Sequence, residues 1–336
     1  MHSVPVVRLR RVRIDSPGWT RRRAGRGFWY LDADAARITD PVHLDRITGL
    51  AIPPAWRDVW ISPWPNGHIQ AAGLDDARRR QYLYHEQWRR RRDRLKHDHV
   101  LDVARRLPAA RRSVRRDLAL DGFPRAKALA LAFRLLDLAY FRAGGEGYAQ
   151  RNGSYGLATL RREHVQVLED ADGAATAVRF CYPAKSGQVR DVVVEDAQVA
   201  ELVGTLLRRR GGGPELLAWR DEAGWHDITS AEVGADVKHR LGPDASPKDF
   251  RTWHATVLAA RGLAAAGPAP ASERGRRRVV AQVVKDVSTE LGNTPAVCRA
   301  SYIDPRVVDL WEHGTTIRPT RSQRVAETET LALLRA

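Results

Sequence analysis

The apolar positions of the chain change period part-way along it. Between residues 28 and 86 the apolar runs are short and broken by Pro53-Pro54 and Pro63-Trp64-Pro65-Asn66-Gly67, residue types that punctuate turns. Val59-Trp60-Ile61, His68-Ile69-Gln70-Ala71-Ala72 and Gln81-Tyr82-Leu83-Tyr84 read as short strands. In the last of these Tyr82 and Tyr84 share a face, because side chains alternate along a strand. From residue 86 the period becomes mainly helical. Residues 86–118 are a charged run whose first part is nearly all polar, as in a helix linking two domains. Leu129, Ala132, Phe133, Leu136 and Tyr140 recur at helical spacing and predict a helix over 125–142, closed by Arg142 before Gly144-Gly145. Val280, Val283, Val284, Val287 and Leu291 do the same over 276–291.

Start and stop signals divide the second part further. Residues 177–182 and 189–194 read as strands joined by Pro183-Ala184-Lys185-Ser186-Gly187, which puts Lys185 at a hairpin tip. Residues 196–210 are helical and end at three glycines, and a short helix lies before Gly242. Ser246-Pro247-Lys248-Asp249 combines an N-cap, a proline at the first helical position and an acid three residues on. Gly292 can stop a helix in the left-handed conformation. Thr294-Pro295 then starts another, with Tyr302 about two turns in.

These elements predict an α+β protein with a small β-rich N-terminal domain (28–88) and a larger, mainly helical domain (89–315). A basic arm precedes them (1–27), and a tail follows (316–336) with one helix near 327–334. At 43% hydrophobic and 29% charged, 336 residues build a globular protein with a sizeable core. Lys and Arg number 56 against 40 Asp and Glu, a formal charge of +16, which points to a polyanionic partner; an arginine-rich proteome is the alternative. Two cysteines, Cys181 and Cys298, form no disulfide framework or metal knuckle and fit a reducing cytoplasm. No apolar run reaches membrane-spanning length, and the start lacks a signal-peptide core.

Taken singly, the polar candidates stay open. The eight arginines from Arg8 to Arg26 make either a mobile basic arm or a solvated tail. Arg78-Arg79-Arg80 beside Tyr82 and Tyr84 suits phosphate contact with packing on sugars or bases, and equally an ordinary half-buried strand. Arg142 could simply complement a helix dipole. Lys185 could be an idle surface lysine. Arg251, near a helix N-terminus, opposes the dipole and so needs an anion or a salt bridge.

Read together, the blocks resemble the type IB DNA topoisomerases, in particular the short, poxvirus-like branch found in bacteria. The resemblance covers about residues 50–312 and rests on Arg79-Arg80-Gln81-Tyr82-Leu83-Tyr84, Tyr140-Phe141-Arg142, Tyr155-Gly156-Leu157-Ala158-Thr159-Leu160, Ala184-Lys185-Ser186-Gly187, Lys248-Asp249-Phe250-Arg251-Thr252, and Gly292-Asn293-Thr294-Pro295 with Tyr302, in that order. It implies that Tyr302 is the nucleophile and forms a 3′-phosphotyrosyl ester. Arg142 and Arg251 would hold the non-bridging oxygens, Lys185 would protonate the leaving 5′ oxygen, and Asn293 would take the fifth catalytic position. It implies duplex DNA as partner, contacted by Arg80, Gln81, Tyr82, Tyr84 and Tyr148. It further implies a monomer in the cytoplasm, associated with the nucleoid, that needs no cofactor, metal or ATP.

Two positions depart from the viral pattern. Asn293 stands where viral members have histidine; bacterial members of the branch also tend to have asparagine. The viral Ser-Lys-x-x-Tyr is here Cys298-Arg299-Ala300-Ser301-Tyr302. Tyrosine recombinases share the fold and much of the site but usually show His-x-x-Arg, where this chain has Lys248-Asp249-Phe250-Arg251. A catalytically silent, architectural DNA-binding protein is the remaining alternative.

Overall fold

The computed structural model describes residues 8–335, without the side chains of Tyr148, Gln150 and Ser186. The chain divides into two compact units, residues 1–96 and 97–336.

The first unit is a five-stranded antiparallel sheet in the order β2-β1-β3-β4-β5, built from β1 (Trp19–Ala24), β2 (Gly27–Leu31), β3 (Arg57–Ile61), β4 (Ile69–Leu74) and β5 (Arg80–Tyr84). A helix, α1 (Pro41–Gly49), starts where Asp40 accepts a hydrogen bond from the Val42 N–H at 2.8 Å and Pro41 fills the first turn, a capped start the apolar pattern did not reveal. Ile47 of α1 is buried with Trp19, Ile38, Ile52, Val59, Ile61 and Ala71 in the core of this unit.

The basic arm is corrected in its described part. Residues 1–7 lie outside the described residues, but 19–24 form a strand paired on both sides. Arg10 donates its backbone N–H to Asn66 O and its carbonyl accepts from His68 N–H, each at 2.9 Å. Arg21 hides the strand's alternation. It points inward like Trp19, and its guanidinium donates to the carbonyls of Ile52, Pro53 and Trp56 at 3.1, 3.0 and 2.7 Å. An arginine thus occupies a position where the period-2 pattern expects an apolar side chain.

The second unit begins within α2 (Glu86–Leu118), whose later turns bury Val100, Val103, Leu107 and Val114. The helix α3 (Arg125–Ala139) is buried along most of its length. The short α4 (Glu146–Asn152) follows, then a three-stranded sheet in the order β6-β7-β8: β6 (Val165–Glu169), β7 (Ala175–Pro183) and β8 (Val189–Glu195). Then come α5 (Ala197–Arg208), packed on β7, the hairpin of β9 (Ala218–Asp221) and β10 (Gly224–Asp227), and α6 (Ser230–Leu241), α7 (Pro247–Ala265), α8 (Glu273–Leu291), α9 (Pro295–Ser301), α10 (Arg306–Glu312) and α11 (Gln323–Leu333). One apolar core joins the helices and the sheet.

Two expectations shift here. The helix over 125–142 stops at Ala139, because Tyr140 takes a left-handed conformation with φ 57°. Phe141 and Arg142 continue outside the helix, and Phe141 packs edge-on against Phe180 of β7, 5.0 Å between ring centroids. The stretch expected as a tail folds back through α11. Glu327 of that helix is buried and accepts from Arg111 Nη1 at 2.6 Å, while Arg111 Nε donates to Asp137 at 2.7 Å. His254 Nε2 meets the same Asp137 at 3.0 Å.

Candidate active site

Four elements of the second unit converge on Tyr302. The start of α9 is capped as its sequence requires: Gly292 ends α8 with φ 62°, and Thr294 accepts from the Val297 N–H at 3.3 Å. Tyr302 is the residue that closes α9, its N–H donating to Cys298 O at 3.0 Å. The Thr256 hydroxyl of α7 shares its proton between Thr252 O at 2.9 Å and the Tyr302 carbonyl at 3.3 Å, and accepts from Asp304 N–H at 3.1 Å. The nucleophile candidate is therefore fixed to α7 by its backbone, and it is 8% exposed.

Arg251, 3% exposed, projects from the early turns of α7. It donates to the Leu291 carbonyl at 2.8 Å and to the carbonyl of Tyr140. The left-handed turn at Tyr140 thus gives Arg251 an acceptor and carries the chain on to Arg142. Arg142 Nη2 donates to Asn293 Oδ1 at 2.5 Å. Its segment is held by Leu157 N–H, which donates to Arg142 O at 2.8 Å, and by a backbone crossing at Gly156. A Cβ on Gly156 would stand 2.5 Å from Gly144 and 2.8 Å from Arg142 O, so only glycine fits.

The leading charges on the Tyr302 phenol are positive. The Arg251 guanidinium lies 5.1 Å from the ring centroid and the Lys248 ammonium 6.0 Å. Burial alone would raise the phenol's pKa. The charge of Arg251, its hydrogen bond to the phenol, and the charges of Arg142 and Lys248 outweigh burial and bring it below the usual tyrosine value. Arg251 is itself pushed down to about 10, by burial first and then by the neighbouring charge of Arg142. Two buried donors of the cluster, Arg251 Nε and Asn293 Nδ2, have no partner among the described residues. Unpaired buried donors and like charges at close quarters are costly, and an anion with several acceptor oxygens satisfies both.

The structure brings together four of the five catalytic candidates: Tyr302, Arg251, Arg142 and Asn293. Lys185 sits where its motif put it, in the single turn Lys185–Gly187 between β7 and β8, closed by Ala184 N–H donating to Gln188 O at 2.7 Å. Its side chain is exposed and makes no hydrogen bond or ion pair among the described residues. Sequence reasoning missed two residues of the cluster. Lys248 appears in the helix start and in the motif block without a role, although it is the cation three residues before Arg251. Arg190 of β8 carried no signal beyond its place after the hairpin turn.

The candidates for DNA contact lie in the first unit, apart from Tyr148, which is on α4 and whose side chain lies outside the described residues. Arg80, Tyr82 and Tyr84 are exposed on the edge strand β5, and the two tyrosine rings stack 5.8 Å apart with 21° between planes. Gln81 alternates to the other face, its amide donating to Asp75 at 2.9 Å.

Comparison with known proteins decides the family. The catalytic core model of eukaryotic DNA topoisomerase I matches residues 85–317, more than half of the chain, and the N-terminal domain model of bacterial DNA topoisomerase IB matches residues 27–75. The chain belongs to the type IB DNA topoisomerases. DNA topoisomerase 1B of Acanthamoeba polyphaga mimivirus is 25% identical to this topoisomerase over 302 residues, 88% of either chain. As an enzyme of this family it acts on DNA. Among its described residues no helix is long and apolar enough to cross a membrane.

Proposed function

We propose that this topoisomerase relaxes supercoiled duplex DNA by cutting one strand through Tyr302, letting the free end swivel, and resealing it. The observation that carries the reading is the Tyr302 phenol, whose pKa is drawn down chiefly by Arg251, Arg142 and Lys248, in a cluster with two buried donors that lack a partner among the described residues. In the forward step Tyr302 Oη bonds to phosphorus and the bond from phosphorus to the 5′ oxygen breaks. The phenol loses its proton, and Lys185 supplies one to the departing oxygen, leaving a 3′-phosphotyrosyl ester and a 5′-hydroxyl. Arg142, Arg251 and Asn293 bind the non-bridging oxygens as charge accumulates there, an electrostatic contribution of about 3 kcal/mol for each well-placed donor. The exposed Lys185 fits a proton donor that engages only when a strand is bound.

The ester keeps the energy of the phosphodiester, so attack by the 5′-hydroxyl reverses the step without ATP. A monomer suffices for this reading, since all five residues lie on one chain. Plasmid relaxation tests the reading. With EDTA present and ATP absent, both positive and negative supercoils should relax in small steps. Relaxation that requires ATP, or that stops on chelation, contradicts it.

A further inference from the structure

Arg190 sits on β8, directly opposite Tyr182 in the hairpin whose turn carries Lys185. Its guanidinium reaches across to the end of α8 and donates to the carbonyls of Thr289, at 3.2 Å, and Glu290. Gly292 and Asn293 follow directly after Leu291, the last residue of α8. Gly292 is packed onto the Arg190 side chain so closely that a Cβ there would lie 3.0 Å from both Cδ and Nη1. One arginine thus ties the strand leaving the Lys185 turn to the helix end that presents Asn293 and leads into α9.

A cation at a helix C-terminus ordinarily needs no further explanation, because it complements the dipole. This one also neighbours the catalytic cations. Burial lowers its pKa, Tyr182 and Glu290 oppose that, and Arg142 adds to it; Arg251 in turn feels the charge of Arg190. Complementing a dipole does not require a half-buried guanidinium set near two others.

We propose that Arg190 is a positioning residue for the strand-transfer reaction: it holds the Lys185 turn in register with Asn293 and Tyr302, so that the proton donor and the nucleophile address the same phosphorus. This rests on the reading of Lys185 as the general acid given above.

The test compares single-turnover cleavage, at saturating DNA, of an ordinary strand and of one with sulfur in place of the scissile 5′ oxygen. A thiol resembles the cysteine side chain, with a pKa of about 8.5, and leaves without a proton donor. On the ordinary strand Arg190→Ala should slow cleavage about 10²-fold, the scale of a 1 Å misplacement, with DNA affinity within about twofold of the parent. On the sulfur strand its rate should return to within about threefold of the parent, as for Lys185→Ala, while Arg142→Ala stays slow on both. Arg190→Gln, which keeps an amide donor, should show a smaller loss with the same recovery and decides the matter if Arg190→Ala does not fold. Equal slowing on both strands, or no slowing, overturns the proposal. If Lys185→Ala fails to recover, the general-acid reading falls instead.

Discussion

Arg142 and Asn293, 151 residues apart in sequence, are joined by a 2.5 Å hydrogen bond from the guanidinium to the amide oxygen. The bond fixes which way the amide faces: Oδ1 is taken, and Nδ2 is left as a buried donor without a partner among the described residues. Asn293→Asp keeps the shape, removes the donor and pairs Arg142 with a carboxylate. Cleavage at saturating DNA should fall about 10²-fold or more, the scale of a lost oxyanion donor. A single-turnover rate close to the parent's would show that the amide faces no phosphate.

Burial pushes the Tyr302 pKa up, and the charge and hydrogen bond of Arg251 are the chief forces that bring it down. In ultraviolet difference titrations, parent minus Tyr302→Phe, the Tyr302 phenol should ionise below the ordinary tyrosine value of about 10. In Arg251→Met the same transition should move up, since the largest opposing charge is gone while burial remains. A lower pKa means more phenolate at a given pH, so the rise of cleavage rate with pH should also shift to higher pH in the variant. An unmoved midpoint contradicts the electrostatic account.

Arg80, Tyr82 and Tyr84 belong to the other unit, and their effect should be confined to binding. Arg80→Ala should lower the slope of log affinity against log salt by about 0.9, one phosphate contact. Tyr82→Ala should cost about 1 kcal/mol of affinity. Neither should change the cleavage rate once DNA is saturating. Filter-binding titrations at several salt concentrations check both, and a reduced rate at saturation would place these residues in the chemistry instead.

Beneath Tyr140, whose ring lies 4.8 Å from that of His254, the buried Asp137 is shared by Arg111 and His254. Burial alone would raise its pKa, but the hydrogen bonds from His254 and Arg111 hold it well below the usual carboxylate range. A depressed folded-state pKa contributes stability that is complete above the unfolded value of about 4 and is lost as the pH falls further. Asp137→Asn should therefore destabilise the protein by about 3 kcal/mol at pH 7, by leaving Arg111 partly unpaired in the core. The difference should shrink below about pH 4. Denaturant melts at the two pH values measure it.

The features legible in the sequence were those with local causes. Thr294-Pro295 and Gly292 announced the start of α9 and the end of α8, and Ser246-Pro247-Lys248-Asp249 announced α7, because caps and turns are set by neighbouring residues. The Lys185 turn and its two strands followed from the same kind of signal. The strand at 19–24 stayed hidden because Arg21 takes the place of an apolar side chain by donating to three carbonyls. The end of α3 was misplaced by three residues, since nothing local requires Tyr140 to turn left-handed. Its carbonyl is instead claimed from 111 residues away, by Arg251. β6 and the β9–β10 hairpin were missed for a similar reason: each is short, and its pairing is visible only once the partner strand is in place. Lys248 was legible as the i−3 neighbour of Arg251 on the same helix, whereas Arg190 joins the cluster through tertiary packing, which no spacing along the chain encodes.

Covalent attachment of the cut strand to Tyr302 is the central claim, and it can be tested directly. The enzyme should be mixed with a DNA duplex labelled at either the 5′ or the 3′ end of the cleaved strand, quenched with detergent and digested with protease, and the labelled peptide sequenced by mass spectrometry. The expected adduct carries the 5′-labelled fragment through its 3′ phosphate on Tyr302, and none forms in Tyr302→Phe. An adduct on another residue, attachment through a 5′ phosphate, or relaxation by Tyr302→Phe at the parent's rate would contradict it.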